Sequence, residues 1–333
     1  MQVRLPSLGL GAAAIGNLYR PMADADAVDT VAAALENGIA YIDTAPHYGF
    51  GLSESRVGAA LHALDPEGKA AISTKVGRLL KPVAEAAGIR HGFAEAAPYE
   101  PVFDYGYGAV MRSFEESRQR LGRRHIDLLL AHDLGRGTHG AAHGHHYRTF
   151  FEGGYRAMWD LREAGEVGAI GLGVNEWQIC EEAMRDGEFD VFLLAGRYTL
   201  LEQSALDSFL PACAARGIEI VIGGPYNSGI LAEGTKGPGP YHFNYEPAPG
   251  AIIERVRRIE AVCDAFSVPL AAAALQFPLA HPQVVSVIPG MAGRAQVAAT
   301  MTLIDTEIPA AFWSALRDEG LLHPAAPTPK GRS

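Results

Sequence analysis

Short apolar runs alternate with stretches of helical spacing along almost the whole chain, about eight times, and this alternation narrows the fold more than any single motif. The runs lie in LGLGAAAIG and at Ile39–Asp43, Ala70–Lys75, Ile126–Ala131, Val167–Val174, Phe189–Ala195, Ile218–Gly224 and Val284–Gly290. Between them, helical spacing covers Ala23–Asn37, Ser53–Leu64, Gly108–Leu121, Gly154–Ala164, Trp177–Arg185, Ala205–Arg216 and, broken near Pro269, Ala251–Ala280. In the first of these, Asp24 is the expected cap, Val28, Val31, Ala32 and Leu35 share a face, and Gly38 is the stop. A short helix and a Pro-rich tail follow Gly290.

Strands without polar alternation are buried on both faces, which calls for a parallel sheet covered by helices. Eight strand–helix units in 333 residues predict a closed (β/α)8 TIM barrel, a single domain over 1–333, rather than an open doubly wound sheet. LGLGAAAIG matches a dinucleotide-binding GxGxxG only in part and does not enter a helix in the right context.

The net charge of −10 offers no basic face for a phosphate backbone, so nucleic acid is not an expected partner. No apolar run reaches membrane-spanning length, and the start, broken by proline and glycine, has no continuous signal-peptide core. The three cysteines, Cys180, Cys213 and Cys263, form no CxxC pair; they fit a reducing compartment, the cytoplasm. Cys180 and Cys213, among alanines and apolar residues, read as buried inert thiols. Oligomeric state is open.

In such a barrel the carboxyl ends of the strands carry the chemistry. Asp43 ends the second strand, Tyr48 follows in its loop, and Ser53 and Glu54 read as the capped start of the next helix. Lys75 ends the third strand and His132 follows the fourth. A lysine at the end of an apolar strand is desolvated and needs an acid partner, for which Asp43 is the natural choice. A Lys–Asp pair beside a phenol is expected to stabilise the phenolate and lower the phenol's pKa from about 10. A phenol so tuned is a general acid–base for a carbonyl/alcohol pair, with His132 bonding the phenol or the substrate oxygen.

Three long insertions, Arg78–Phe103, Leu134–Phe151 and Pro225–Gly250, each follow a strand and are expected to wall a pocket over one mouth. His139, His143, His145 and His146 crowd the second insertion, but no cysteine or acid completes a zinc spacing, so no metal is expected. Trp177 is left open between pocket and helix packing.

The blocks GxxYIDTAPHYGFGLSE, STKVG, LLLAHD and SVIPG, in this order and spacing, resemble the aldo-keto reductase superfamily over nearly the whole chain. The resemblance implies a (β/α)8 barrel moving a hydride between a nicotinamide cofactor and a carbonyl or alcohol. Residue by residue it implies a tetrad of Asp43, Tyr48 as acid/base, Lys75 lowering the tyrosine pKa and His132 orienting the substrate. Asp43 borders the cofactor as well, and Asn175 in GLGVNEW matches the residue that holds the nicotinamide carboxamide. Pro289 and Gly290 of SVIPG fall at the cofactor. No metal is implied.

The chain departs from the family pattern at several cofactor positions. Arg197 in AGRYTLLEQ stands where a glutamine is usual. Gly223 in IGGPYNSGIL stands where a tyrosine commonly stacks on the nicotinamide, with Tyr226 as a substitute by another path. Gly290 and Gln296 replace the usual lysine and arginine near a 2′-phosphate, leaving Arg294 nearby. That balance favours NAD, with NADP possible.

AHDLGRGTHG, AGRYTLLEQ and GGPYNSGIL further resemble a bacterial subgroup of D-threo-aldose (L-fucose) 1-dehydrogenases and pyridoxal 4-dehydrogenases. What this implies is oxidation of an aldose such as L-fucose at C1 to the lactone, the substrate being a small sugar or aldehyde. The alternatives are pyridoxal 4-dehydrogenase and NADPH-dependent carbonyl reductase. A barrel binding a nicotinamide nucleotide without turnover is a reading of a different class, and the complete tetrad counts against it.

Overall fold

A computed structural model describes residues 4–84 and 87–330. The one-domain reading over 1–333 and the insertion Arg78–Phe103 thus include residues outside the described ones. Eight parallel strands form one sheet in strict chain order. They are β1 (Leu10–Gly11), β2 (Tyr41–Asp43), β3 (Ala71–Val76), β4 (Ile126–His132), β5 (Val167–Val174), β6 (Val191–Ala195), β7 (Glu219–Gly223) and β8 (Val284–Ile288). Parallel bridges from Leu8 to Val287 and from Gly11 to Gly290 join the last strand to the first and close the barrel.

The apolar runs sort by period 2, as strands require. Tyr41, Leu128, Leu130, Ala169, Val191, Leu193, Val221 and Ile288 fill the barrel interior. The alternate residues, such as Ile42, Ile72, Leu129 and Ile170, pack outward under the helices in the main core. Near the carboxyl end the inward positions turn polar: Asp43 lies opposite Ser73 in register, and Lys75 stands two residues further along β3.

Expected helices recur with shifted ends, at Asp24–Glu36, Leu52–Leu64, Tyr107–Leu121, Tyr155–Glu163 and Gln178–Ala183. The segment 205–216 divides into a 3-10 turn, Ser204–Leu206, and a helix, Phe209–Arg216. After β8 the chain forms two helices, Arg294–Asp305 and Ala310–Asp318, rather than one. Two capping expectations fail. Asp24 lies inside its helix and pairs with Arg56. Ser53 is fully buried and bonds the Ala12 carbonyl and the Thr44 hydroxyl, while Glu54 pairs with Arg120. Both polar groups tie the helix after β2 to the barrel, a tertiary use that local pattern does not encode. Among the described residues no single helix is long and apolar enough to cross a membrane.

Candidate active site

Asp43, Tyr48, Lys75 and His132 come together at the carboxyl end of β2, β3 and β4. Lys75 is 2 % exposed, and its Nζ donates to Asp43 Oδ2 at 2.8 Å, Asp43 Oδ1 at 2.9 Å and the Thr44 carbonyl at 2.8 Å. Its remaining contact is Tyr48 Oη at 3.2 Å. A buried ion pair is tolerable only with its other valences satisfied. Here Ser73 Oγ donates to Asp43 Oδ1 at 2.6 Å, and Tyr41 Oη lies 2.9 Å from Ser73 Oγ. Glycine at 173 is part of the same device, since a Cβ there would come within 3.2 Å of Lys75 Cε.

Tyr48 is set by a close approach of two loops. A Cβ on Gly16 would lie 2.7 Å from the Tyr48 carbonyl carbon, and one on Gly49 would lie 2.4 Å from the Gly16 oxygen. Only two glycines let the loop after β1 press against the loop after β2. The His132 ring stands edge-on to the Tyr48 ring, centroids 6.0 Å apart. His132 is held from behind, its carbonyl accepting from Tyr105 Oη at 2.6 Å.

A cavity of about 430 Å³ opens onto Tyr48, Lys75 and His132. His47, His91, Asp133 and Asn175 add polar groups to its wall, and Tyr19, Phe93 and Tyr245 add rings. The first insertion thus supplies His91 and Phe93, and the third supplies Tyr245 from the tip of a hairpin, His242–Phe243 with Glu246–Pro247. The second insertion does not wall this cavity, contrary to expectation. It folds into short helices, and His139 Nε2 meets Tyr105 Oη at 3.0 Å, so His139 and His146 buttress Tyr105 from outside. His139 and His146 lie ring against ring, centroids 4.1 Å apart. Among the described residues no three His, Cys, Asp or Glu groups are placed to hold a metal ion.

The electrostatics correct one expectation. Burial first, then the carboxylates of Asp43 and Asp133, push the Tyr48 phenol well above its ordinary pKa. Lys75 does not reverse this because Asp43 already neutralises it at shorter range. Burial, then the charges of Arg78 and Lys75, hold His132 well below its usual range, and burial with Arg78 takes His47 down to about 2. The resting site therefore presents a neutral phenol at Tyr48 and neutral imidazoles at His47 and His132.

A groove of about 600 Å³ leaves this cavity past Asp43, Gly223, Tyr226, Ser228 and Gly290 to Gln296, Ala299 and Leu303. A family model for aldo/keto reductases matches residues 7–318. The chain belongs to the aldo/keto reductase family.

Two relatives cover almost all of it. A pyridoxal 4-dehydrogenase of Microbacterium luteolum is 44 % identical over 326 residues, 95 % of this chain and 94 % of the relative. A D-threo-aldose 1-dehydrogenase of a Pseudomonas species is 39 % identical over 330 residues, 98 % of this chain and 96 % of the relative. Among solved structures, an aldo-keto reductase from Bacillus halodurans superposes with a TM-score of 0.73 at 22 % identity over 98 % of both chains, which supports the barrel. The protein is an NAD(P)-dependent oxidoreductase of the aldo/keto reductase type.

The residues present fit the nicotinamide cofactor of this family. At Gly290 an added Cβ meets nothing closer than 4.0 Å, and at Gly229 it meets nothing within 4 Å among the described residues, so the groove is kept clear. The Tyr226 hydroxyl is buried in the groove wall without a partner. Of the positions expected at the cofactor, Asp43, Gly223, Gly290 and Gln296 line the groove, and Asn175 lines the cavity. Three do not. Arg197 Nε donates to the Asn175 carbonyl, and the buried Pro289 gives its carbonyl to Gly11 N–H at the barrel seam. Arg294 is held by Asp29 at 2.7 Å and Glu36 at 2.5 Å, on the helix before β2.

Ser73, Asp133 and Tyr245 escaped the sequence reading. Ser73 had a signal, lying two residues before Lys75 and so on the same strand face. Asp133 stood in the quoted LLLAHD block, without a role. Nothing local marks Tyr245. Trp177 is resolved as packing: its ring stacks on Phe209 and Nε1 meets Ser204 Oγ at 3.3 Å.

Proposed function

We propose that this aldo/keto reductase is an NAD-dependent dehydrogenase that oxidises an aldose such as L-fucose at C1 to the lactone. The observation that carries the reading is the Lys75–Tyr48 contact on the wall of a cavity rich in hydroxyl-binding groups. A nicotinamide held along the groove by Gly223, Gly290 and Gln296 would supply the hydride acceptor for C1. Tyr48 Oη, once it has given its own proton to solvent, takes the proton of the anomeric hydroxyl. Lys75 Nζ stands beside the negative charge that Oη carries before that transfer, and Asp43 with Ser73 keeps it there. His132, neutral, gives the same substrate oxygen a hydrogen-bonding nitrogen. The proton and hydride leave together, and the C1–O bond becomes the lactone carbonyl.

The cofactor choice rests on charge. Gly290 and Gln296 offer no cation to a 2′-phosphate, and Arg294 is committed to two carboxylates. Three buried, unpaired thiols support a reducing compartment, the cytoplasm.

Pyridoxal is the second reading. It is favoured by the higher identity to the pyridoxal relative and by the rings of Tyr19, Phe93 and Tyr245 on the cavity wall. Initial rates with a panel of aldoses and pyridoxal, each with NAD and with NADP, decide between the two. NADPH-driven aldehyde reduction as the sole activity would overturn the dehydrogenase reading.

A further inference from the structure

Asp133 joins the substrate side of the site to the cofactor side. It follows His132 directly and adopts a left-handed backbone, φ 52°, that asparagine and aspartate tolerate best among side-chain-bearing residues. Its N–H is fixed to the Gly173 carbonyl at 2.9 Å. The carboxylate is thereby turned back over the cavity, with the residue 6 % exposed. Oδ2 accepts from Arg78 Nη2, and Arg78 in turn reaches the His47 ring at 3.3 Å. Oδ1 accepts from Asn175 Nδ2 at 3.0 Å. His132 Nε2, at 3.5 Å from Oδ2, is too distant to count as a bond.

A primary amide can face a carboxylate in one way only, because its NH2 can donate to the carboxylate and its oxygen cannot. We infer that Asp133 is a positioning residue that fixes the Asn175 amide with Nδ2 toward the protein and Oδ1 free to accept from the cofactor's carboxamide NH2. This rests on the reading that Asn175 meets that carboxamide. An asparagine at 133 would lose the discrimination, since it can pair with either end of the Asn175 amide.

The test is a binding measurement. Dissociation constants for NAD and for its 3-acetylpyridine analogue, which replaces the carboxamide NH2 by a methyl group, are read from quenching of protein fluorescence. The wild-type chain should bind the analogue roughly tenfold more weakly than NAD, the size of one hydrogen bond left unmade. In Asp133→Asn that ratio should fall to roughly two. The double variant Arg78→Met/Asp133→Asn, which leaves no unpaired guanidinium, should give the same low ratio and stands in if the single variant does not fold. An unchanged ratio in the Asp133 variants, with a collapsed ratio in Asn175→Ala, would overturn the role of Asp133 alone. An unchanged ratio in Asn175→Ala would overturn the contact with the carboxamide and the role of Asp133 with it.

Discussion

Lys75 Nζ stands 3.2 Å from Tyr48 Oη but is bound more closely, at 2.8 and 2.9 Å, by both oxygens of Asp43. The ammonium is thus shared, and the two residues should separate in stability and in rate. Tyr48→Phe is expected to lower turnover by at least roughly 10²-fold to 10⁴-fold, the range of general acid–base catalysis, with cofactor affinity nearly unchanged. Lys75→Met should cost turnover and also about 3–5 kcal/mol of stability, because it leaves the Asp43 carboxylate buried and unpaired. Urea unfolding of the two variants beside initial rates checks both; equal stability losses would contradict the pairing.

The raised phenol gives a directional pH dependence. Oxidation needs Tyr48 without its proton, and burial with Asp43 and Asp133 holds that proton on well above the usual phenol range. The kcat/KM for oxidation should therefore climb with pH, log–log slope about +1, from pH ~7 to pH ~10 without a plateau. His132, held below its ordinary range, should add no inflection near pH ~6.5. A plateau beginning near neutrality would show a phenol lowered after all.

Gly16→Ala should displace the Tyr48 loop, since its Cβ would fall 2.7 and 2.8 Å from the Tyr48 carbonyl carbon and oxygen. A misplacement of about 1 Å can cost roughly 10²-fold in rate. Gly144→Ala, whose Cβ meets nothing, is the control and should be neutral or more stable by about 0.4–1 kcal/mol. Rates and melting temperatures of both variants decide; full activity in Gly16→Ala would rule out the loop contact as a constraint.

Releasing Arg294 should alter cofactor choice. In Asp29→Ala/Glu36→Ala the guanidinium loses both carboxylates that now hold it. NADP affinity should rise by about three- to tenfold, with NAD affinity unchanged, measured by fluorescence titration at low salt. Equal wild-type affinities for NAD and NADP would remove the premise.

The barrel was legible because every strand but the first is a run of apolar residues between helical segments. The clustering of Asp43, Tyr48, Lys75 and His132 was legible because all four sit at or just after the ends of successive strands, as the parallel alternation predicts. The fate of Ser53 was not, since a hydroxyl at a helix start caps in most settings and here bonds Thr44 and Ala12 instead. Nor was the phenol's pKa, which is raised by burial first and then by the carboxylates of Asp43 and Asp133. Arg294 read only as a cation near a 2′-phosphate, because its partners, Asp29 and Glu36, lie more than 250 positions earlier in the chain. Tyr245 reaches the cavity only because two left-handed residues, Asn244 and Tyr245, turn a hairpin back over the mouth.

The seam at Gly11 and Gly290 has a consequence for synthesis. The groove runs over the place where β1 and β8 meet, so its floor is complete only when the first and last strands of the barrel have both docked. A nascent chain that has not yet emerged past β8 carries two raw sheet edges, at β1 and β7, where this floor will later lie. Unpaired edges recruit other chains. Catalytic competence should thus appear only once β8 has docked, and before that step the open side of the unfinished barrel exposes unpaired strand edges.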